Sequence, residues 1–511
     1  MVQGTSSHAG KSVLVAALCR IFARDGWRVA PFKSQNMSLN SFVTAEGGEM
    51  GRAQVLQAQA AGIRPHTDMN PILLKPTSEK GAQIILNGKV EGHLEAGDYH
   101  RIKLDLLPHA LAALRRLRSA YQIVVLEGAG SPAEINLKER DIANMRMAKE
   151  AEAPVLLVGD IDRGGVFASL VGTMELLEPW ERELVAGLVI NKFRGAKELL
   201  ADGLDFLERK TGKPVLGVIP YIRDLGLEEE DTVNLEAGKE PRSDTILDDH
   251  LDLAVIHFPY ISNATDFQPL EREPGVKVRY VRNPRHLGVP DAIFLPGSKS
   301  TASDLAFLRR SGLAAAVMRL AASGIPLIGI CAGYQILGRS IEDPAGVEFG
   351  PGRVEGLGML PVDTVMASEK STHLVKAVAR RKIPWLGMDP SHPPLSGYEI
   401  HMGISRVEGE APLLIVERDG MEVRIEDGAL HEELPVFGCY LHGIFENRRL
   451  RENFLGSLRR RKGLSTVGMA EEWESLREQS LDRLADIVSS TLDMEAVYSL
   501  LGLGERSLHN P

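Results

Sequence analysis

Two stretches of this 511-residue chain combine side chains and spacing that could do covalent or phosphoryl-transfer chemistry. Residues 326–338 read PLIGICAGYQILG: an apolar run from Leu327 to Ile330, then Cys331, with Gly329 and Gly333 two positions away on either side. Tyr334, Ile336, Leu337 and Ile341 follow at helical spacing. A thiol at such a strand-to-helix turn stands clear of the sheet, and the glycines let backbone and substrate approach closely. The helix amino terminus favours the thiolate, the species that attacks. Cys331 therefore reads as a nucleophile on an elbow. The alternative is a small buried core residue, since free cysteine is among the most buried types.

The second stretch, GTSSHAGKS at 4–12, lies between a short apolar start and the amphipathic run Val13, Leu14, Ala17, Leu18, Ile21, Phe22. Strand, glycine-bounded loop and helix make an anion cradle. Its backbone from Gly4 and Thr5 to Gly10 surrounds phosphates, Lys11 reaches the terminal ones, and the Ser12 hydroxyl can ligate magnesium. Five residues rather than four separate Gly4 from Gly10, a departure from the standard phosphate-loop spacing. Lys33 ends the apolar stretch WRVAPF (27–32), where ligands bind in open parallel sheets. Glu127 tips the strand IVVL (123–126), a position suited to a magnesium ligand or water-orienting carboxylate; the alternative is a loop carboxylate in solvent.

These residues need a scaffold, and the surrounding pattern predicts one. Apolar strands recur at 154–158, 184–190 and 214–219 between helical stretches, which predicts an α/β fold with a doubly wound parallel sheet. The pair Asn191-Lys192 follows one of these strands, as a base-reading loop does in many nucleotide-binding folds. Residues 227–249 are polar and acidic and mark a boundary. A second α/β series then runs through 251–257, 276–281 and DAIFL (291–295), the last ending in PGSKS (296–300). Backbone N–H groups of Ser298 or Gly297, and of Ala332, would line an oxyanion hole for an acyl intermediate. A thiol nucleophile also needs a base. Both His442 in VFGCYLHGIF (436–445) and His401 in GYEIHMG (397–403) lie on strand-like stretches. Residues 448–511 return to a helical pattern, and the stripe Leu481, Leu484, Ile487, Val488, Leu492 is expected to pack on the preceding domain. The expected division is 1–230, a linker at 231–250, 251–448, and a helical extension at 449–511.

Composition sets the outer bounds. A hydrophobic content of 44% and a charged content of 25% describe an ordinary globular protein of more than one domain. A net charge of −10, spread without blocks, leaves no footprint for nucleic acid. No apolar run is long enough for membrane insertion. Cys19, Cys331 and Cys439 make no disulfide framework and fit a cytoplasmic location.

The Cys331 elbow, the PGS turn and the late histidine resemble class I glutamine amidotransferases, and the GTSSHAGKS loop with its extra residue resembles dethiobiotin synthetase and its relatives. PFKSQNMSLN, NPILLKP, LEGAGSPAEINL, DIDRGGVFAS, LPGSKST, GICAGYQILG, GYEIHMG and YLHGIF are similar to the cobyric acid synthase family, across essentially the whole chain. The resemblance implies a synthetase domain followed by a glutaminase domain, with Cys331 attacking the glutamine carboxamide and His442, rather than His401, taking the thiol proton. Ammonia would pass to the first domain. There ATP, with Mg2+ held at Ser12 and Glu127, would activate the b, d, e and g carboxylates of adenosylcobyrinic acid a,c-diamide. Glu49 is a further candidate acid for the metal. Many class I glutaminases carry a glutamate two residues after the histidine, but this chain has Ile444 there. His442 must then be oriented by another group, with Glu446 and Glu399 as candidates. Two other readings remain: a cobyrinic acid a,c-diamide synthase of the same architecture, and a phosphate-loop ATPase carrying a vestigial glutaminase domain. A homo-oligomer is compatible with each.

Overall fold

Strands buried on both faces set the architecture of the first half. In the computed structural model, which describes all residues except 78–80, 224, 228–249, 466–467, 469–470 and 504–511, Val2–Gly4, Val155–Asp160, Val185–Phe193 and Val215–Pro220 pair in parallel in that order. Val29–Phe32 and Ile123–Leu126 form a parallel pair beside them, joined through a bridge between Val2 and Glu127. The near-continuous apolar sequences of these strands follow from helices covering both faces of a parallel sheet. Helix Lys11–Arg24 buries Leu14, Val15, Leu18 and Phe22 against this sheet, so the loop that precedes it opens at the sheet's carboxyl edge.

A smaller sheet is inserted after Phe32. Ile72–Pro76, Gly81–Leu86 and Lys89–Glu95 run antiparallel, with Gln35–Met37 parallel on the free edge of the first. Between them Ser41–Val43 and Glu49–Gly51 form a short antiparallel hairpin that feeds helix Arg52–Ala60.

In the second half, Val276–Val281, Leu251–Ile256, Ala292–Leu295, Leu327–Ile330 and Val436–Cys439 lie side by side in parallel, and Ala429–Leu430 closes the edge antiparallel. Leu253, Val255, Phe294, Ile328 and Phe437 form the centre of its core. A second, antiparallel sheet is built around the long strands Val362–Ala379 and Leu395–Val407. The chain is thus mixed α/β with two parallel sheets.

The carboxyl-terminal helices separate. Arg448–Lys462 places Leu450, Phe454, Leu455 and Leu458 in the core of the second half. Helix Trp473–Thr491 crosses back: Leu481, Leu484, Ala485 and Val488 join Leu14, Val15 and Leu18 in the core of the first half. Arg20 meets Glu478 and Asp482 at 2.9 and 2.8 Å along the same contact. This corrects the expectation that the stripe packs on the preceding domain. Helical periodicity identifies an apolar face and leaves open which surface that face covers. The boundary segment expected at 231–250 lies, His250 apart, outside the described residues. Among the described residues no helix is long and apolar enough to cross a membrane.

Candidate active site

Strand Leu327–Ile330 is buried throughout and ends at Cys331, whose φ of 54° and ψ of −110° lie in a region costly for any residue but glycine. Helix Ala332–Leu337 starts at once, so the thiol stands on a tight strand-to-helix elbow. The elbow requires its second glycine: a Cβ on Gly333 would fall 2.0 Å from the Leu295 carbonyl oxygen. Cys331 retains 7% of its surface, and its Sγ donates to the Ile400 carbonyl at 3.7 Å.

Val436–Cys439 pairs in parallel with the elbow strand, Ile330 opposite Cys439, which delivers His442 to the same edge of the sheet. His442 Nδ1 donates to Asp266 Oδ2 at 2.7 Å, and Asp266 Oδ1 accepts from the Gly443 N–H at 2.9 Å. The Tyr398 ring stacks on the imidazole with centroids 5.1 Å apart and planes 14° off parallel, and the two residues exchange backbone hydrogen bonds of 3.2 and 2.9 Å. Burial works against a charged imidazole, but the Asp266 carboxylate and then the Cys331 thiol outweigh it, pushing His442 up to about 10. Among the described residues Nε2 has no hydrogen-bond partner, which leaves it as the nitrogen to exchange a proton with the thiol. Nucleophile, base and orienting carboxylate stand in the order that acyl transfer requires.

Asp266 was not among the sequence candidates, and neither proposed glutamate orients His442. Glu446 reaches Arg52 at 3.5 Å, while Glu399 pairs with Arg418 at 2.8 Å and lies 3.7 Å from His401 Nε2. The orienting carboxylate comes from 176 residues upstream, beyond any local spacing rule. The available signal was an acid in the polar turn ISNATD that follows Leu251–Ile256, the first strand of the second parallel sheet. His401 has a packing position, stacked on Tyr440 at 3.7 Å and bonded through Nδ1 to the Gly403 carbonyl at 2.8 Å.

The two oxyanion alternatives separate on register. Gly297–Ser298 pairs antiparallel with Ile261–Ser262, Gly297 opposite Ser262, and Lys299 N donates to Tyr260 O at 2.9 Å. The alternation of an antiparallel ladder turns the Gly297 N–H onto Ser262 and leaves that of Ser298 outside the pairing. Gly297 is therefore corrected as a donor, and Ser298 with Ala332 remains. Gly297 matters for its missing side chain, because a Cβ there would lie 3.1 Å from His442 Cε1.

At the phosphate loop, Gly10 adopts φ 96° and Lys11 opens the helix. Lys11 Nζ donates to the Ser6 and Gly130 carbonyls at 3.0 Å each. Glu127 gathers the predicted residues: its Oε1 accepts from Ser12 Oγ and Lys33 Nζ at 2.8 Å, and its Oε2 from Gln57 Nε2 at 2.5 Å. Gly4 lies in the first strand, and the Thr5 N–H extends the sheet to the Val158 carbonyl at 2.9 Å, which leaves only the Thr5 hydroxyl for a phosphate. Asn191 and Lys192 buttress the loop, donating to the Ala9 and His8 carbonyls at 2.9 and 2.6 Å. Ser12 and Glu127 together offer hard oxygen donors in the small number that Mg2+ takes from a protein, so they fit that ion.

Glu49 is not a third acid here, which corrects that candidate. It is buried between Lys75 at 2.8 Å and Lys370 at 2.5 Å, tying the first half to the second, and accepts from Ser41 Oγ at 2.8 Å. Burial alone would neutralise Glu49, but the two lysines hold it ionised, well below the usual carboxylate range. Glu49→Gln leaves both lysines buried without a counter-charge. It should lower unfolding stability by roughly 3–5 kcal/mol, read by denaturant titration; an unchanged midpoint would show that the bridge contributes nothing net. Among the described residues no three His, Cys, Asp or Glu side chains cluster to hold a metal.

Comparison with known proteins gives a consistent result. A model of the CobQ/CobB/MinD/ParA nucleotide binding domain matches residues 1–233, and one of the CobB/CobQ-like glutamine amidotransferase domain matches residues 252–450. The chain is 52% identical to a cobyric acid synthase of Pelotomaculum thermopropionicum, covering 100% of this chain and 98% of that one. It is 49% identical to that of Desulforamulus reducens, over 99% of this chain and 98% of the relative. For Moorella thermoacetica the figures are 51%, 99% and 98%.

Proposed function

The chain belongs to the cobyric acid synthase family, and from that premise we propose how its residues divide a glutamine-dependent ligation of cobalamin biosynthesis between them. Residues 251–448 carry the glutaminase and 1–230 the ATP-dependent synthetase, and helices Arg448–Lys462 and Trp473–Thr491 extend the chain beyond them. Cys331 Sγ attacks the glutamine carboxamide carbon while His442, aligned by Asp266, takes the thiol proton. The amides of Ser298 and Ala332 receive the oxyanion. His442 returns the proton to the departing nitrogen, ammonia leaves, and water hydrolyses the thioester to glutamate.

In the synthetase half, Lys11 neutralises the phosphate tail of ATP and Lys33 swings from Glu127 to the transferring group. Ser12 and Glu127 would hold Mg2+, which when bound would supply charge neutralisation at the phosphates. A substrate carboxylate takes the terminal phosphoryl group, and ammonia then displaces phosphate from the acyl phosphate to leave an amide. Activation is needed because a carboxylate anion resists attack by ammonia. The acceptors are the b, d, e and g carboxylates of adenosylcobyrinic acid a,c-diamide, and the reaction runs in the cytoplasm.

The observation that carries this reading is the His442–Asp266 pair beside the Cys331 elbow, in one chain with the Lys11–Ser12–Glu127 set. Lys11→Ala tests the division. Amide formation on the a,c-diamide, followed by mass spectrometry, should fall at least roughly 100-fold while glutamate release continues. Unchanged amidation would remove Lys11 from the scheme. If the parent enzyme leaves the a,c-diamide untouched but amidates cobyrinic acid, the a,c-diamide synthase reading is correct.

A further inference from the structure

The thiol site is backed by an element from the other half of the molecule. The hairpin of Ser41–Val43 and Glu49–Gly51 leaves the synthetase half and ends behind the glutaminase site. Three consecutive residues each stand one residue away from a member of that site. Ser41 N donates to Asn263 Oδ1 at 3.0 Å, and the Asn263 carbonyl accepts from the N–H of Asp266, the partner of His442, at 3.1 Å. The Phe42 ring lies 4.8 Å from the Tyr398 ring, which is stacked on His442. Val43, fully buried, packs with Tyr398 and Ile400, and the Ile400 carbonyl accepts from the Cys331 thiol. The Arg52 guanidinium, 4.7 Å from the Phe42 ring centroid, holds that ring in turn.

We infer that the 41–51 hairpin is a positioning element of the glutaminase, with Phe42 fixing the Tyr398–His442 stack and Ser41 fixing the Asn263–Asp266 turn. The inference rests on the roles given to Cys331, His442 and Asp266 above. None of the hairpin residues meets the reacting atoms; they act through Tyr398, Asn263 and Ile400. An aromatic ring backed on one side by another ring keeps its place, whereas one facing a cavity tilts, and small displacements of a base from its nucleophile are costly in rate. The glutaminase is thereby completed by the half that consumes its product.

The test uses the full-length enzyme. Phe42→Ala should lower kcat for glutamine hydrolysis roughly 10- to 100-fold, with KM for glutamine and amidation driven by free ammonium salt each within about twofold. Phe42→Tyr keeps the ring and should restore most of the lost kcat. Asn263→Gly suits the left-handed backbone at φ 53° while deleting the acceptor for Ser41, and should shift kcat in the same direction. The inference is overturned if both Phe42→Ala and Asn263→Gly hydrolyse glutamine at the parent rate, or if ammonia-driven amidation falls in step with hydrolysis. Cys331→Ala is the control for the underlying reading: if it still releases glutamate, the assignment of the thiol fails, whatever the hairpin variants do.

Discussion

Replacing Cys331 with alanine stops glutamine-dependent amidation, with a loss of roughly a thousandfold or more, and leaves amidation driven by ammonium salt within about twofold of the parent. The asymmetry follows from where the sulfur stands. Cys331 ends a strand of the second parallel sheet, beside the strand that delivers His442 and with its thiol on the Ile400 carbonyl, whereas Lys11, Ser12, Lys33 and Glu127 converge at the edge of the first. Alanine retains the Cβ and removes only the sulfur, so the core around the elbow is little disturbed. Without the thiol no thioester forms and no ammonia is released, yet an acyl phosphate remains open to ammonia from solution. Glutamate release and amide formation, measured separately with each nitrogen donor, give the result. Failure of ammonium salt to rescue synthesis would mean that the two chemistries are not separable in this way.

The second large effect is at Asp266, a residue that no family spacing nominated. Asp266→Asn should cut kcat for glutamine hydrolysis roughly 10²- to 10⁴-fold, again sparing the ammonia-driven reaction. The carboxylate accepts from His442 Nδ1 and from the Gly443 N–H. An asparagine that presents its amide nitrogen to the ring favours the wrong tautomer and leaves Nε2 unable to take a proton. Charge is lost as well. Burial lowers the pKa of His442, and the Asp266 carboxylate is the main group that reverses this and lifts it to about 10. Removing it lets burial win, so the limb of the pH–rate profile belonging to His442 moves to lower pH. The same raised pKa contributes folding stability that is fully present below the ordinary histidine value and is lost as pH rises through about 10; the variant should lose that contribution. An Asp266→Asn enzyme with parental kcat and pH profile would reduce the site to a thiol and an imidazole alone.

What could be read in the sequence, and what could not, follows one physical line. Strands buried on both faces announce themselves as apolar runs, so Leu327–Ile330, Ile123–Leu126 and Val155–Asp160 were legible, as were the residues Cys331, Lys11 and Glu127 fixed to their ends. Local pattern carries periodicity and identity but not partners. The Gly297 N–H was lost as an oxyanion donor only once the pairing with Ser262 was known, and Glu49 ceased to be a metal candidate once Lys370 was found 2.5 Å away from a different part of the chain. Asp266 is not legible for the same reason: its pairing with His442 exists only after the second parallel sheet has assembled.

Helix Trp473–Thr491, lying on helix Lys11–Arg24, also bears on how the protein is made. Arg20 and Asp482, which meet across that contact, are separated by 462 positions. At a translation rate of roughly 5–20 residues per second, Leu14, Val15 and Leu18 leave the ribosome tens of seconds before the residues that cover them. The first domain therefore cannot reach its final packing as it emerges. Its nascent apolar face needs a chaperone or a provisional collapse until residues 473–491 have been made.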